Sequence, residues 1–376
     1  MGRIKTKTKR KNRKIFIIGA GPIGCYLAQL LKREGIGSVL IEEHKRLGRP
    51  VHCAGLIGRK SFDEAEIPLS SKSILNTING AKIHLAGETI SVTRKEVAYV
   101  IDREKFDKAL GEGLDIRFGT KFLGLEEKEN HYIIDTDKGD FEADIVIGAD
   151  GAKSLVRDFV NRNGMQYLTG VQFRMKYQLE DNDRVEVYIK KPYFYWIIPE
   201  HNGIVRVGVI SKSPYKDLLK FIKEKKIKGE ILEKFAGIVP LEHFLNLSKE
   251  RIFLVGDSAC QIKPLTYGGV YMGMRGAEIL SKCIGKDNFS NYSLIWRKKF
   301  GREVIIAAKI REALHRLSDK EITRIFSFVK TKNKLVEEKG DFENHSFILW
   351  EFLKQPDITR ELFKVLLNVA GERLRR

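Results

Sequence analysis

Three glycines and one acid near the start of the chain have the residue types and spacing of a dinucleotide-binding site. Gly19, Gly21 and Gly24 form a Gly-x-Gly-x-x-Gly pattern, and Glu42 follows the last glycine by eighteen residues. In this pattern the first glycine permits a tight turn, the second lets a pyrophosphate approach the backbone, and the third lets a helix pack on a sheet. The acid can accept hydrogen bonds from ribose hydroxyls. These residues therefore predict that the chain binds a dinucleotide cofactor.

Three polar residues further along the chain could contact the same cofactor. Asp150 and Asp257 each end an apolar run, in Ile-Val-Ile-Gly-Ala-Asp-Gly and Leu-Val-Gly-Asp. A carboxylate at such a position can accept hydrogen bonds from ribose or ribitol hydroxyls. Arg103 carries a forked guanidinium that can pair with a pyrophosphate. Taken alone, each Asp could equally be a helix cap, and Arg103 could equally be a surface residue. The order along the chain of the glycine motif and these three residues is therefore what indicates a shared cofactor site.

The pattern around the glycines predicts the elements that would position them. The apolar run Ile15–Ile18 predicts a buried strand, residues 22–34 predict a helix closed by Gly35, and Val39–Ile41 predict a second strand ending at the acid. A phosphate at the start of that helix would lie at its positive end. The glycine pattern therefore has the strand, helix, strand and acid that a dinucleotide site requires.

Later segments of the chain alternate between strand–helix–strand patterns and patterns of antiparallel sheet. Residues 74–100 predict antiparallel hairpins, with turns at Asn79-Gly80 and Gly87-Glu88. Residues 170–210 are rich in strand patterns, and the chain from about 291 onward has the pattern of charged helices. The alternation predicts an α/β fold with an inserted antiparallel sheet.

Composition limits the compartment and the partners. The formal charge is +19, and eight of the twelve residues from 3 to 14 are Lys or Arg. This segment predicts a disordered basic arm. The arm either contacts anionic lipid or nucleic acid or serves only solubility. The four cysteines are scattered and form neither a disulfide framework nor a metal-ligand pair, which favours a reducing cytoplasm. We find no pattern of a secretory signal or of a transmembrane helix. Abundant Lys, Ile and Glu favour a thermophilic habitat.

The order of the motifs resembles that of flavoproteins of the glutathione-reductase type, in the branch that holds p-hydroxybenzoate hydroxylase, halogenases and geranylgeranyl reductases. The resemblance covers roughly residues 14–315 and is sharpest in three segments. His-Cys53-Ala-Gly is similar to the Cys-x-Gly segment of archaeal geranylgeranyl reductases. Residues 261–270 are similar to their Pro-x-x-Gly-Gly-Gly loop, and residues 194–199 to their Tyr-x-Trp-x-Phe-Pro motif.

This resemblance implies bound FAD and the reduction of C=C bonds in geranylgeranyl chains, such as those of archaeal ether lipids. It implies a Rossmann-like FAD-binding domain, a substrate-binding sheet domain and a C-terminal helical region. We therefore predict a basic arm at 1–14, an FAD-binding domain of 15–75, 101–165 and 246–290, a sheet domain of 76–100 and 166–245, and a helical region at 291–376. The lack of a second Gly-x-Gly-x-x-Gly argues against a separate nicotinamide domain. The electron donor therefore stays open between NAD(P)H, ferredoxin and others.

Carried over position by position, the resemblance assigns a role to each site residue. We predict that FAD contacts Gly19, Gly21, Ile23, Gly24, Glu42, Glu43, Ala54, Gly55, Arg103, Phe122, Asp150, Asp257, Gly268, Gly269 and Val270. We predict that substrate contacts Phe194, Trp196, Pro199 and Tyr267. Cys53 is the candidate catalytic residue, either as a proton donor to the alkene or as a positioning element of its loop. No metal site is predicted.

The sequence departs from the family pattern at a few positions. Tyr267 replaces the first glycine of the Pro-x-x-Gly-Gly-Gly loop, which affects the backbone geometry and the access to the cavity. Phe194 and Ile198 change the aromatic motif, and Ile23 stands where a small residue is usual. The isoprenoid chain is expected to lie in an apolar cavity between the inserted sheet and the flavin.

Three other functions are alternatives to this one. A flavin-dependent halogenase or hydroxylase fits because Phe-x-Trp-x-Ile-Pro also resembles the halogenase Trp-x-Trp-x-Ile-Pro, although the Cys53 segment argues against it. A quinone-linked electron carrier would need clustered cysteines. A flavin-containing tRNA-modifying protein is suggested by the charge, but the chain has no stacking-aromatic RNA motif, so a nucleic-acid partner is not expected. We expect a cytoplasmic protein, with peripheral contact to the inner face of the membrane as an open question.

Overall fold

The computed structural model describes residues 13–161, 164–243 and 246–354. The strands are β1 Ile15–Ile18, β2 Val39–Glu42, β3 Leu56–Gly58, β4 Ile74–Leu85, β5 Glu88–Ile101, β6 Asp115–Phe118, β7 Phe122–Glu127, β8 Tyr132–Thr136, β9 Phe141–Ala143, β10 Ile145–Gly148, β11 Tyr167–Lys176, β12 Arg184–Lys190, β13 Tyr193–Pro199, β14 Ile204–Ser211, β15 Ile231–Pro240, β16 Ser248–Lys249 and β17 Ile252–Leu254. The helices are α1 Pro22–Arg33, α2 Lys60–Asp63, α3 Arg103–Gly111, α4 Val156–Val160, α5 Pro214–Glu224, α6 Val270–Gly285, α7 Asn291–Arg316, α8 Asp319–Thr331, α9 Asn333–Lys339 and α10 His345–Leu353.

The part of the chain that is predicted to bind the cofactor is built on a six-stranded sheet with the order β16-β17-β10-β1-β2-β6. All neighbours in it are parallel except the short β16, which runs antiparallel to β17. Every residue of β1 and β10 is buried, as expected for parallel strands that are covered on both faces. The parallel arrangement brings the carboxyl ends of β1, β2 and β10 to one edge, where the predicted cofactor residues begin.

A second, eight-stranded sheet has the order β15-β11-β14-β13-β12-β4-β5-β3. Its pairs are antiparallel except β12 with β4. The prediction of several hairpins in residues 74–100 is wrong in one respect, because β4 and β5 form one long hairpin that turns at Ala86-Gly87. Asn79-Gly80 instead lies inside β4, where the register shifts between Ile78 and Gly80. The bulge explains the turn-like sequence, since Gly80 has φ of 154° and β5 approaches it closely.

The predicted C-terminal helices form as α7 to α10, and residues 355–376 lie outside the described part of the chain. Among the described residues, no helix is both long and apolar enough to cross a lipid bilayer. Residues 1–12 of the predicted basic arm likewise lie outside the described residues. Arg13 and Lys14, at the end of that segment, form ion pairs with Asp287 and Glu142.

Candidate active site

A cavity of about 2120 Å³ lies between the carboxyl edge of the parallel sheet, the eight-stranded sheet and helices α7 and α8. Pockets for drug-sized ligands have volumes of roughly 300–1,000 Å³, so this cavity can hold more than one molecule of that size. Its polar end is lined by the glycine-rich turn after β1 and by the ends of β2 and β10. The cavity is therefore the place where the predicted cofactor and substrate residues can meet.

The turn after β1 has the geometry that its glycines predict. Gly19 has φ of 99°, and a Cβ there would lie 2.5 Å from the Ala149 carbonyl oxygen. A Cβ on Gly24 would lie 2.1 Å from the Gly19 carbonyl oxygen, so α1 can start only if that position lacks a side chain. A Cβ on Gly21 would have no atom within 4 Å, because this residue faces the open cavity. The turn thus presents bare backbone at the N-terminus of α1, which suits a pyrophosphate.

Glu42 supports this turn from the end of β2. One carboxylate oxygen accepts a hydrogen bond from the Ala20 amide at 2.8 Å, and the other accepts from the His44 amide at 3.0 Å. The side chain is buried but borders the cavity, as does Glu43. The oxygen that binds the His44 amide also contacts His44 Nδ1 at 2.6 Å, whereas the oxygen that binds the Ala20 amide can accept a second hydrogen bond. Through that second oxygen Glu42 can hold both the turn and a ribose hydroxyl.

Two further carboxylates face the same cavity and fit the hydroxyl-rich part of a flavin dinucleotide. Asp150 accepts from the Leu155 amide at 2.8 Å through Oδ2, whereas its buried Oδ1 has no hydrogen-bond partner. Burial raises the pKa of Asp150 above its ordinary value, against the opposing effect of hydrogen bonds from neighbouring groups. Burial also raises the pKa of Asp257, opposed by the charges of Arg103 and Arg157. A buried acceptor without a donor is costly, and ribose or ribitol hydroxyls are donors of the kind that would satisfy it.

Arg103 connects the cofactor end of the cavity to Cys53. Its Nε and Nη2 donate to Asp107 at 3.0 and 2.9 Å, at the start of α3. Burial by itself would lower the pKa of Arg103, but Asp107 and Cys53 outweigh this effect and raise it. The guanidinium therefore stays charged beside Asp257. The helix that carries it begins at Arg103 and is capped by Asp102, whose side chain accepts from the Lys105 amide at 3.1 Å.

The Cys53 loop is held from the eight-stranded sheet. Gln172 donates to the Cys53 carbonyl at 2.9 Å, and Arg206 donates to the Ala54 carbonyl at 2.7 Å. Gly55 has φ of 71°, and a Cβ there would lie 1.9 Å from Arg206 Nη1. The Gly55 amide also donates to Cys53 Sγ at 3.3 Å. Two strands of the eight-stranded sheet, β11 and β14, thus fix where the thiol faces the cavity.

Three aromatic side chains, Phe194, Trp196 and Tyr267, form a group in the lining of the cavity. Phe194 stacks on Tyr267 with ring centroids 6.2 Å apart and lies 6.0 Å from Trp196. The Trp196 indole donates to Gln172 at 3.3 Å and covers Gly208, where a Cβ would lie 2.3 Å from the ring. Tyr267 has φ of 60°, which is unusual for a bulky residue and is typical of functional sites.

Comparison with known proteins identifies this architecture. Residues 12–59 match the model of an FAD-binding domain. The chain is 30% identical over 379 residues to an uncharacterized protein of Methanocaldococcus jannaschii, which covers 93% of this chain and 97% of that protein. It is 26% identical over 359 residues to digeranylgeranylglycerophospholipid reductase 1 of Methanococcoides burtonii, covering 84% of this chain and 87% of the relative. The chain belongs to the geranylgeranyl reductase family.

A solved structure supports the fold of this reductase family member. It is that of a geranylgeranyl bacteriochlorophyll reductase-like protein from Thermoplasma acidophilum, with a TM-score of 0.78 and 23% identity over 94% of this chain and 99% of the other. The family and the matching domain agree with the predicted FAD. The protein is therefore an FAD-dependent oxidoreductase.

Most of the residues that the sequence assigned to FAD or substrate line the cavity of this reductase family member. The lining residues are Gly19, Gly21, Ile23, Glu42, Glu43, Cys53, Ala54, Arg103, Phe122, Asp150, Phe194, Trp196, Asp257, Tyr267, Gly268, Gly269 and Val270. Gly24, Gly55 and Pro199 lie behind them, and the Pro199 carbonyl accepts from Asn76 at 3.0 Å. Ile23 fits because Gly256 and Gly273 leave room for it, with Gly256 having φ of 73°.

Sequence reasoning missed the polar network behind the Cys53 loop. Glu200 is fully buried and accepts from Arg206 at 2.6 Å and from Arg174 at 2.8 Å. A signal existed, because Arg206 interrupts the apolar run Ile-Val-Arg-Val-Gly-Val of β14. A charged residue in such a run is rarely buried unless it is paired, so the position was a candidate for a structural or functional ion pair.

Sequence reasoning also missed that the C-terminal helices form one wall of the cavity. Apolar side chains of α7 and α8 line it, namely Ile306, Ile310, Leu314, Ile322, Ile325 and Phe328. The segment before α10 closes the wall, since Lys263 of the cofactor loop pairs with Glu343 at 2.9 Å and donates to the Phe342 carbonyl at 3.0 Å. The amphipathic pattern of α8 was visible in the sequence, but its partner surface was not.

Proposed function

We propose that this protein reduces the C=C bonds of geranylgeranyl-type isoprenoid chains in lipids of the archaeal ether type. The observation that carries the proposal is an apolar chamber that continues directly from the cofactor end of the cavity. The names of relatives such as the Methanococcoides burtonii enzyme support the choice of substrate.

The chamber suits a long branched chain. From the sheet side it is lined by β-branched residues of β4, β5, β12 and β14, namely Ile83, Val92, Val185, Val187, Ile189 and Ile210. Helices α7 and α8 line the other side. Burying a CH₂ group in such surroundings contributes about 0.8 kcal/mol, so an isoprenoid chain of twenty carbons would bind strongly without any polar contact.

The chemistry needs two groups at the boundary of this chamber. When bound and reduced, FAD supplies the hydride. The second alkene carbon must gain a proton, and an apolar chamber favours one placed donor over bulk solvent. Cys53 Sγ is our candidate, because the Cys53 loop is held at the cavity wall beside Arg103. Phe194, Trp196 and Tyr267 would hold the chain across this point.

The test is the product formed from an unsaturated lipid. We would incubate the purified protein, reduced with dithionite, with digeranylgeranyl ether lipid and measure the product by mass spectrometry. Each reduced bond adds two hydrogens, so a series of heavier products is expected. An unchanged mass with fully FAD-loaded protein would contradict the proposal. Oxygen-dependent conversion of an aromatic substrate would instead favour a hydroxylase or halogenase.

A further inference from the structure

Six charged side chains form a continuous series of ion pairs next to the loop that carries Cys53. Their charges alternate, and together we call them the ion-pair chain: Glu104, Arg49, Glu233, Arg174, Glu200 and Arg206. Four of them lie on α3, β15, β11 and β14, and the other two lie on connecting segments. The ion-pair chain therefore joins the helix that carries Arg103 to the eight-stranded sheet.

Arg49 connects the two ends of the ion-pair chain. Its Nε donates to Glu104 at 2.7 Å, and its Nη1 donates to Glu233 at 3.0 Å. Hydrogen bonds from Lys108 and from Arg49 lower the pKa of Glu104 to about 2. The hydrogen bonds to Glu104 and Glu233 in turn raise the pKa of Arg49. Both partners of this contact are therefore charged at neutral pH, and the guanidinium is held from two sides.

The strand register places the other charges in one row across the sheet. Arg174 of β11 lies opposite Glu233 of β15 on one side and opposite Arg206 of β14 on the other. Like charges directly opposite each other destabilise a sheet, and Glu200 offsets this repulsion. Its fully buried carboxylate accepts from Arg174 Nε at 2.8 Å and from Arg206 Nε at 2.6 Å. Glu233 lies 3.7 Å from Arg174 Nη1 and connects the row to Arg49.

The ion-pair chain contacts the Cys53 loop on both sides of the thiol. Arg49 precedes Cys53 by four residues and belongs to the loop itself. Arg206 donates through Nη1 to the carbonyl of Ala54, the residue after Cys53, at 2.7 Å, and through Nη2 to the Ile101 carbonyl at 3.0 Å. The segment between Arg49 and Ala54 is therefore held at both ends by one connected set of charges.

Such an arrangement defines a position more than it adds stability. The cost of removing charges from water offsets most of the attraction within a buried ion pair, so buried ion pairs are weak evidence of stabilisation. Hydrogen bonds between ionised groups nevertheless have defined lengths and directions. A series of them that starts and ends at one loop therefore restricts where that loop can lie.

We propose that the ion-pair chain positions the Cys53 thiol at the border of the apolar chamber, so that Arg49 and Glu233 are positioning residues of the reduction. The inference rests on the proposed function, in which the thiol gives its proton to the alkene carbon that does not receive the hydride and then regains a proton from water. Arg49 and Glu233 act on this step through the loop. A misplacement of about 1 Å can lower a rate about a hundredfold, so breaking the chain should slow proton transfer.

The experiment breaks the ion-pair chain at Arg49 and separates kcat from KM. Full-length, FAD-loaded protein would reduce digeranylgeranyl ether lipid with dithionite as the reductant. We expect Arg49→Gln to lower kcat about ten- to a hundredfold, with KM and the FAD absorbance unchanged. Arg49→Lys should recover part of kcat, because lysine keeps the charge without the fork of donors. Glu233→Gln should also lower kcat and replaces Arg49→Gln if that variant fails to fold. The matched control is Glu230→Gln, which removes an exposed 2.7 Å ion pair with Lys176 and should keep kcat.

A second measurement reports the position of the thiol without turnover. Cys25, Cys260 and Cys283 are buried and Cys53 is partly exposed, so iodoacetamide should react first with Cys53 in the folded protein. We expect Arg49→Gln and Glu233→Gln to react severalfold faster than the unchanged protein, because the loop is released, and Glu230→Gln to react at the unchanged rate.

The two measurements distinguish positioning from stability and from the proposed function. Unchanged kcat and unchanged alkylation in both chain variants would overturn the inference, even if the free energy of unfolding fell, because the ion pairs would then serve stability alone. A rise in KM with kcat unchanged would overturn it as well. If no protein forms a reduced lipid, the proposed function fails, and the alkylation rates alone decide whether the ion-pair chain positions Cys53.

Discussion

Cys53 reaches the cavity on a loop whose carbonyl groups are held by side chains more than a hundred positions away in the sequence. Gln172 and Arg206 bind the carbonyls of Cys53 and Ala54, and Trp196 of the aromatic motif donates to Gln172. The family-like Cys53 segment and the family-like aromatic motif are therefore connected by one hydrogen-bond path. This connection explains why a thiol on a glycine-rich loop can have a defined position.

The chemical role of the thiol can be separated from its packing role. We expect Cys53→Ala and Cys53→Ser to retain FAD, measured by visible absorbance, and to lose most saturation of a geranylgeranyl chain, measured by product mass. The physical reason is that neither alanine nor serine reproduces a thiol at the border of the apolar chamber. Cys283→Ala is the matched control, because Cys283 is buried in α6 away from the cavity. Full activity of Cys53→Ala would leave Cys53 as a packing residue.

Gly55 tests how tightly Arg206 holds this loop. A Cβ at Gly55 would lie 1.9 Å from Arg206 Nη1, so Gly55→Ala must displace the guanidinium from the Ala54 carbonyl. Gly35→Ala is the control, since Gly35 has nearly the same φ of 72° but no atom within 4 Å of the added carbon. Both substitutions strain the backbone, at about 1–3 kcal/mol each.

The difference between the two variants isolates the contact with Arg206. We expect Gly55→Ala to lower the free energy of unfolding by roughly 1–2 kcal/mol more than Gly35→Ala, measured by urea denaturation. Equal losses in the two variants would show that Arg206 moves aside at no cost.

At the level of elements, the sequence predicted those helices and strands whose signals lie within a few consecutive residues. The bounds of β1, α1 and β2 agree with the sequence to within one residue, because an apolar run, a glycine turn and a helical period each act over a few residues. Asn79-Gly80 was misread as a turn, because a bulge and a turn both favour this pair. β15 was not predicted, since it is a half-exposed edge strand without clear alternation. The Gln172–Cys53 contact spans 119 positions and leaves no local signal.

The carboxylates at the carboxyl edge of the parallel sheet should determine FAD affinity. We expect Glu42→Ala and Asp257→Ala each to weaken FAD binding by on the order of 1–3 kcal/mol, the scale of a lost buried hydrogen bond. The loss should be larger for Glu42, which also holds the Ala20 and His44 amides. The measurement is a fluorescence titration of the apoprotein with FAD. Glu129→Ala, in an exposed turn, is the control, and unchanged affinity in both site variants would remove these acids from the cofactor site.

For the whole molecule, the cavity joins three regions that are far apart in the sequence. The parallel sheet supplies the cofactor end, the eight-stranded sheet supplies the aromatic group, and the C-terminal helices close the apolar chamber. The regions meet at buried polar contacts, which we call joints. Two of them are the contact of Lys263 with Glu343 and that of Arg311 with His243. These joints bury titratable groups, so the free energy of unfolding should depend on pH.

Two histidines at these joints should make the protein less stable in mild acid. Burial, together with the charge of Arg311 for His243 and of Lys263 for His345, lowers their pKa from 6.5 to about 4 and about 3. Both rings stay neutral in the folded protein, and the Nδ1 atom of each is buried without a hydrogen-bond partner. As the pH falls below 6.5, the unfolded chain binds protons that the folded protein does not. The free energy of unfolding should therefore fall from pH 6.5 down to about 4 and, for His345, on to about 3.

The size of this effect can be measured by removing the titrating groups. Each pKa unit corresponds to about 1.4 kcal/mol, but both rings border solvent-accessible space, so we expect roughly 2 kcal/mol in total between pH 6.5 and 4. Urea denaturation at several pH values should show this loss in the unchanged protein and a smaller one in His243→Gln/His345→Gln. His201→Gln, at an exposed turn, should keep the full loss. An identical pH dependence in all three proteins would mean that acids such as Glu104, whose pKa is lowered to about 2 by Lys108 and Arg49, set the acid stability instead.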